Sequence, residues 1–501
     1  MNKAKYIFLS LLIGLFLATF MLSKNDPSEK GQAQKTLDFY CAAGMKLPAV
    51  AVVKDYENEF GVKINIIYGG SGTLLNNLAV AQKGDLYLAA DYSYITLARE
   101  KGLLAEAIPV NQLRAGLAVA KGNPHSIQSL QDLLDKKDLK IGLANPDAAS
   151  VGKFTKKVLS QHKYWGAIEE RVKNDGVFTG TVNELTNNLK LNSIDVGIVW
   201  DAVAAQYPEL DFVALSEFDS QPKNTTIGIL KSSENPSQAL HFARYLTARD
   251  KGLKHFEAMG FKIVEGDKWV NKPEINFFGG GMLRPAVEES ISEFEKREGV
   301  VVKTTFNGCG ILVSQMEAGA QPDAYFACDR KFMEQVQDRF GKSTDVTSND
   351  IVIAVAKGNP KAIRSLDDLL KADVKVGLGH PDKSALGYLT MEMLKAVNLY
   401  DKIKKNVAVD SPTGDFLINQ ISIHSVDAVI IYKSNFMASP SAVRECEMIE
   451  IPLEEAKAVQ PYAISKNNDH KELLKRLMIQ LTSHQNRFTD IGFHWQGAVN
   501  E

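Results

Sequence analysis

Tyr68-Gly69-Gly70-Ser71-Gly72-Thr73 is the stretch on which the fold turns. It follows an apolar run, Val62-Lys63-Ile64-Asn65-Ile66-Ile67, and precedes a helical pattern, Leu74-Leu75-Asn76-Asn77-Leu78. It has an echo, Phe306-Asn307-Gly308-Cys309-Gly310-Ile311, in the same strand-to-helix setting. Glycine at such a corner lets backbone approach a ligand closely, and a helix that begins there presents unsatisfied N–H groups. Together they make an anion site that needs no Lys or Arg. A Gly-Ser-Gly corner also serves as a plain turn, so its meaning comes from its surroundings.

The echo extends along the chain. Ala43-Gly44-Met45 returns as Gly280-Gly281-Met282, and Lys121-Gly122-Asn123-Pro124 as Lys357-Gly358-Asn359-Pro360. Asn145-Pro146-Asp147 with Gly152 matches His380-Pro381-Asp382 with Gly387. Asp195-Val196-Gly197-Ile198-Val199-Trp200 matches Asp427-Ala428-Val429-Ile430-Ile431-Tyr432, and Gly260-Phe261 matches Gly492-Phe493. The order is unbroken and the offset drifts by only a few residues, the signature of a tandem duplication. The expected domains are 36–270 and 274–498, joined by Asn271-Lys272-Pro273.

Within a copy, strands alternate with helices. Strands are expected at Leu37–Cys41, Val62–Ile67, Asp85–Ala89, Ala115–Ala120, Lys140–Ala144 and Asp195–Trp200. Helices are expected at Pro48–Phe60, Leu74–Gln82, Tyr94–Lys101, Leu130–Asp135 and Lys153–Gln161. Short apolar runs, each followed by a helix, imply an α/β fold with a largely parallel sheet covered on both faces. Each copy is long enough for two α/β lobes with a cleft between them, the chain crossing near Ala105–Leu117. Asn235–Gly260 and Asp469–Gly492 read as closing helices. In open α/β sheets, ligands bind beyond the carboxyl ends of the strands, where the glycine corners lie.

A chain of 501 residues with 45% hydrophobic residues and a net charge of −2 is an ordinary multidomain globular protein. Near-neutrality speaks against nucleic acid as a partner. Cys41, Cys309, Cys328 and Cys446 are too few for a disulfide scaffold, and their spacing is not that of a zinc site. At the N-terminus, Lys3 and Lys5 precede an apolar run from Ile7 to Leu22. Residues 1–35 therefore read as a signal peptide or membrane anchor with a tether, which exports the rest.

These residues together resemble the type 2 periplasmic solute-binding fold, and within it the molybdate-binding protein family of ABC importers. The resemblance rests on Cys41-Ala42-Ala43-Gly44-Met45, Gly69-Gly70-Ser71-Gly72 and Gly84-Asp85-Leu86-Tyr87-Leu88-Ala89-Ala90-Asp91. It rests further on the Lys-Gly-Asn-Pro strand exit, on Asn145-Pro146-Asp147 leading to Val151-Gly152, and on Asp195 to Trp200. It implies two tandem solute-binding domains that hold an oxyanion by backbone N–H groups and a few hydroxyls, with no cofactor, no metal and no catalysis. It implies an ABC importer permease as partner. Carried across, the binding positions are Gly44, Ser71, Val151, Val182 and Trp200 in the first copy. In the second they are Gly281, Cys309, Leu386, Gly414 and Tyr432. The family's serine hydroxyl is missing at Gly44 and Gly281, its second serine becomes Cys309, and its tyrosine becomes Trp200.

A tetrahedral dianion offers only acceptors, so it calls for donors. Ser71, the adjacent backbone and Thr181 supply them in the first copy. Thr413 occupies the equivalent turn in the second, where it or Asp415 also reads as a helix cap. Asp91 and Asp329 read as caps of the next helix, and Asp85 and Asp323 as loop anchors. Tyr87, Tyr92, Tyr94 and Tyr325 read as packing residues, and Lys46 and Arg284 as solvated charges near the cleft mouth. Cys309 reads either as a filler of the serine's space or, at a helix N-terminus, as an activated thiol; no adjacent His is evident by motif, and His380 lies at the turn corresponding to Asn145, from which it could approach the cleft. The leading expectation is an exported binding protein for molybdate, tungstate or sulfate. Beside it stand a membrane-anchored sensor or scaffold on the same fold, and an enzyme built on Cys309.

Overall fold

The computed structural model describes residues 36–219 and 222–497; the apolar run 7–22 lies outside them. The chain divides into two compact units. One holds the described residues up to 105, with 115–219 and 228–235; the other holds 106–114, 222–227 and the chain from 236 onward.

In the first unit, Thr36–Ala42 lies between Lys63–Gly69 and Leu86–Ala89 and runs parallel to both. Leu86–Ala89 is buried at every position, as an apolar strand covered on two faces must be. The second lobe repeats the plan. Ile141–Ala144 lies parallel between Val177–Thr179 and Val196–Trp200. Ala115–Ala120 closes this sheet antiparallel to Val196–Trp200 and to Leu210–Ala214. The carboxyl ends of the parallel strands in both lobes lead straight into the predicted site residues.

The second unit repeats both parallel trios. Glu274–Gly280 lies between Val301–Asn307 and Ala324–Phe326. Val376–Gly379 lies between Val407–Ser411 and Ala428–Tyr432. A single strand, Thr344–Ala356, serves both lobes. Its first half pairs antiparallel with Lys457–Ile464, its second half with Ala428–Tyr432 and Cys446–Glu450. The fold is thus one α/β plan with mixed sheets, used twice along the chain.

The second unit is also tied by buried charge. Glu298, 1% exposed, ends the helix Arg284–Glu298 and receives Arg476 in a two-pronged pair, Nε to Oε1 at 2.7 Å and Nη2 to Oε2 at 3.1 Å. Arg244 donates to the Glu298 backbone carbonyl at 3.2 Å. Asp267 accepts from the backbone N–H groups of Glu472 and Leu473, both at 2.9 Å, capping the helix Lys471–Thr482. Removing one member of such a buried pair leaves an uncompensated charge. Glu298→Gln is expected to cost about 3–5 kcal/mol, read as a lowered urea midpoint for the second unit's transition.

Candidate functional site

In the first copy, all six expected residues line one cavity: Gly44, Ser71, Val151, Thr181, Val182 and Trp200. Ser150 and Ala90 join them. The room left for the centre of a water-sized sphere is about 10 Å3, which corresponds to a void of roughly 2.7 Å radius for a 1.4-Å sphere. A void of that size is far smaller than a sugar or an amino acid. None of the lining residues carries a charge.

Three helix N-termini meet at this void: Ser71–Ala81, Ser150–Gln161 and Val182–Lys190. Each brings partial positive charge and first-turn N–H groups. The helix at Ser150 has no side-chain cap, so its leading N–H groups at Ser150 and Val151 stand at the cavity wall. Ser71 Oγ accepts from the Ala90 N–H at 3.2 Å, and Thr181 Oγ1 from the Glu184 N–H at 3.2 Å. In both hydroxyls a lone pair is taken by backbone, which leaves the proton for a ligand. The cavity is biased toward donors, as an oxyanion requires.

The glycines have a further reason beside the one the sequence suggested, since Gly69 and Gly70 also line the cavity. A Cβ on Gly70 would collide with the Ala148 carbonyl and stand 2.7 Å from the Gly180 carbonyl; a Cβ on Gly72 would collide with the Asp147 carbonyl. All three carbonyls belong to the opposite lobe. The Gly72 N–H and Thr73 N–H donate to Ala148 O at 2.8 and 3.2 Å. The bare backbone is there so that the lobes can shut on each other. Gly308 repeats this against the carbonyls of Lys383 and Pro412.

The second copy places its expected residues at the same stations. Cys309, Leu386 and Gly414 sit at the first or second positions of helices Cys309–Glu317, Ala385–Ala396 and Gly414–Ser422. Gly281 opens a short turn, Thr413 precedes the Gly414 helix, and Tyr432 ends its strand. Thr413 makes no side-chain cap, unlike Thr181. Asp415 instead accepts from Asn435 Nδ2 at 2.6 Å, and burial raises its carboxyl pKa.

Repeat comparison exposes residues that motif reading missed. Cys309 stands for Ser71, and its sulfur accepts from the Cys328 N–H at 3.0 Å, as Ser71 does from Ala90. Cys328 thus stands for Ala90, and Gly280 stands for Ala43. A Cβ on Gly280 would overlap Cys328 Sγ and stand 3.3 Å from Cys309 Sγ. Asn435 stands for Val203, and its Oδ1 fills the place a Cβ on Gly414 would take. These pairs make sense only together, which is why single-residue reading passed over them.

Other expectations resolve simply. Asp91 and Asp329 cap their helices through Ser93 N–H at 2.7 Å and Lys331 N–H at 2.9 Å. Asp85 and Asp323 anchor the strands before them by accepting from Asp38 and Asn276 N–H. Lys46 lies 5.4 Å from the centre of the Tyr68 ring, in a wider bay of about 510 Å3 beside the cavity. His380 Nδ1 accepts from the Asp382 N–H at 3.2 Å, as Asn145 Oδ1 does from Asp147, so it shapes its own turn. Among the described residues no group of three His, Cys, Asp or Glu could hold a metal.

The sequence profile described as "bacterial extracellular solute-binding protein" matches residues 37–262 and again 275–493. A putative binding protein of Haemophilus influenzae is 26% identical over 231 residues, 45% of this chain and 90% of its own. The putative ABC transporter substrate-binding lipoprotein YvgL of Bacillus subtilis is 27% identical over 223 residues, 42% of this chain and 82% of its own. The molybdate-binding protein ModA of Escherichia coli is 24% identical over 194 residues, 36% of this chain and 74% of its own.

A methyl group at Gly280 would meet the Cys328 sulfur, at a cost of about 1–3 kcal/mol. Gly280→Ala is expected to destabilise by that amount in urea unfolding. Adding Cys328→Ala should recover most of the loss, since the two positions share one volume. Purely additive losses would show that they do not.

Proposed function

The chain belongs to the bacterial extracellular solute-binding proteins, and from that premise we propose that it is the exported capture subunit of an ABC-type importer. Its first copy closes two lobes on a small tetrahedral oxyanion, with molybdate or tungstate ahead of sulfate. The carrying observation is the uncharged cavity at which three helix N-termini meet, with Ser71 and Thr181 hydroxyls whose protons remain free. Relatives described as a molybdate-binding protein and as an ABC transporter substrate-binding lipoprotein support the same reading. No helix among the described residues is long and apolar enough to cross a membrane.

Anion capture without a counter-cation follows from the fields present. Each helix end offers a fraction of a positive charge, and three together approach what one Lys would give. The donors are backbone groups held by their helices, so little ordering accompanies binding. Closure then excludes water and shifts the protein toward the shut form by the ligand's differential affinity.

Isothermal titration with molybdate, tungstate, sulfate and phosphate tests the reading. Heat with at least one tetrahedral oxyanion is expected, and silence with all of them sinks it. A hydrogen bond to a charged group contributes about 1.5–3 kcal/mol. Ser71→Ala should therefore weaken the first-copy site about ten- to a hundredfold, while Cys309→Ser leaves that site unchanged.

A further inference from the structure

We propose that the second copy's site captures a trivalent, thiol-seeking oxyacid, of which arsenous acid is the type, between the sulfurs of Cys309 and Cys328. This goes beyond the oxyanion reading of the first copy and does not depend on it.

The first observation is a coordinated set of differences between the copies. The donor hydroxyl of Ser71 becomes the thiol of Cys309, and Ala90 becomes Cys328. Ala43 becomes Gly280, which clears the volume that the Cys328 sulfur enters. A Cβ at position 280 would meet both sulfurs, so the two thiols border one point on the site's floor. A cysteine that only replaced a serine would need neither a second thiol nor the glycine that accommodates it. The main-chain bond is kept, since the Cys328 N–H donates to Cys309 Sγ at 3.0 Å.

The second observation concerns polar atoms without partners. Tyr432 is 3% exposed and Asn435 4% exposed. The Tyr432 hydroxyl and the Asn435 Oδ1 both lack a hydrogen-bond partner. Burial above all raises the Tyr432 hydroxyl pKa. Asn435 gives its Nδ2 to Asp415, which leaves Oδ1 as an acceptor over Gly414. The first copy has Val203 and Val182 at these two positions, both apolar. A buried acceptor left open repels a bare dianion and favours a ligand that carries O–H groups.

Arsenous acid meets both demands. It is uncharged near neutral pH and carries three O–H groups. In the capture step two As–S bonds form and two As–O bonds break. Each thiol proton leaves with a displaced hydroxyl, so two waters are released and one O–H stays on arsenic. Arsenic remains trivalent, and no oxidant or reductant takes part. The hydrogen bond with Cys309 and burial hold the Cys328 thiol well above the usual thiol range. A step that uses protonated thiols suits that environment better than a metal cation, which must displace protons to gain thiolates.

The test uses the exported protein, purified without reductant, and sodium arsenite as the probe. All four cysteines are free thiols in the structure. On arsenite addition, thiols titrated after rapid denaturation in acid should fall from four to two, with one arsenic retained per chain by elemental analysis. Cys309→Ser and Cys328→Ala should each lower arsenite affinity about 100-fold or more, since two-point capture becomes one-point. Cys41→Ser with Cys446→Ser should change nothing. Ser71→Ala should lose oxyanion heat and keep arsenic, so failure of this proposal and failure of the oxyanion reading are separable. Four thiols persisting after arsenite would overturn the proposal, as would a Cys309–Cys328 disulfide in the purified protein or equal arsenic retention by the folded Cys309→Ser variant. Folding of each variant is checked by circular dichroism, and the wild-type thiol count decides the matter even where a variant does not fold.

Discussion

One carbonyl organises the first domain. Ala148 O, at the turn before the Ser150 helix, accepts from Gly72 and Thr73 N–H on the opposite lobe. Those two donors belong to the first turn of the Ser71 helix, where no intrahelical acceptor exists. In an open cleft they face water; in the closed one they meet a backbone acceptor of equal quality. The net gain is modest, about 1 kcal/mol for each bond, so closure stays within reach of a ligand's differential affinity. The contact is made by main chain on both sides. It therefore demands no particular side chain, only the absence of a Cβ at positions 70 and 72.

That constraint explains what remains for the ligand. With Gly72 and Thr73 N–H given to the other lobe, the Ser71 helix contributes its field, its first residue and a hydroxyl. The helices at Ser150 and Val182 supply further leading N–H groups. On the proposed reading, recognition is shared among both lobes, and a half-open cleft offers only part of it. A cation at the centre would bind anions in the open state as well, and would weaken the coupling between capture and closure.

Much of this was legible in the sequence. Strand, glycine corner and helix N-terminus are local patterns with strong periodic signals, and the six residues expected to bind line one cavity because each lies at or soon after a strand end. The duplication was legible because matching turns recur in unbroken order. The purpose of Gly70 and Gly72 was not, because the atoms they avoid are carried by Asp147, Ala148 and Gly180, far along the chain. The helix Trp165–Asp175 was passed over because its exposed face is polar and only Ile168 and Val172 are buried. The strand Val177–Thr179 has three residues, too few to show a period. Its exit nonetheless delivers Thr181 to the site.

The two copies show how a site built from backbone can change its chemistry while keeping its frame. Helix starts, strand ends and the closing carbonyls recur in both, because they depend on main-chain geometry and on a few bare glycines. Side chains on the floor are then free to change, but only in company. Ala43 with Ala90 fills nearly the volume of Gly280 with Cys328, and a close-packed interior accepts such an exchange where it resists either half alone. Val182 with Val203 gives way to Gly414 with Asn435 by the same logic of contact, and there an apolar wall becomes an open acceptor. A duplicated chain that drifted without constraint would lose one member of each pair before the other. Matched change at both ends of two separate contacts indicates that the second site stayed closed and packed while its floor turned from hydroxyl donor to paired thiols.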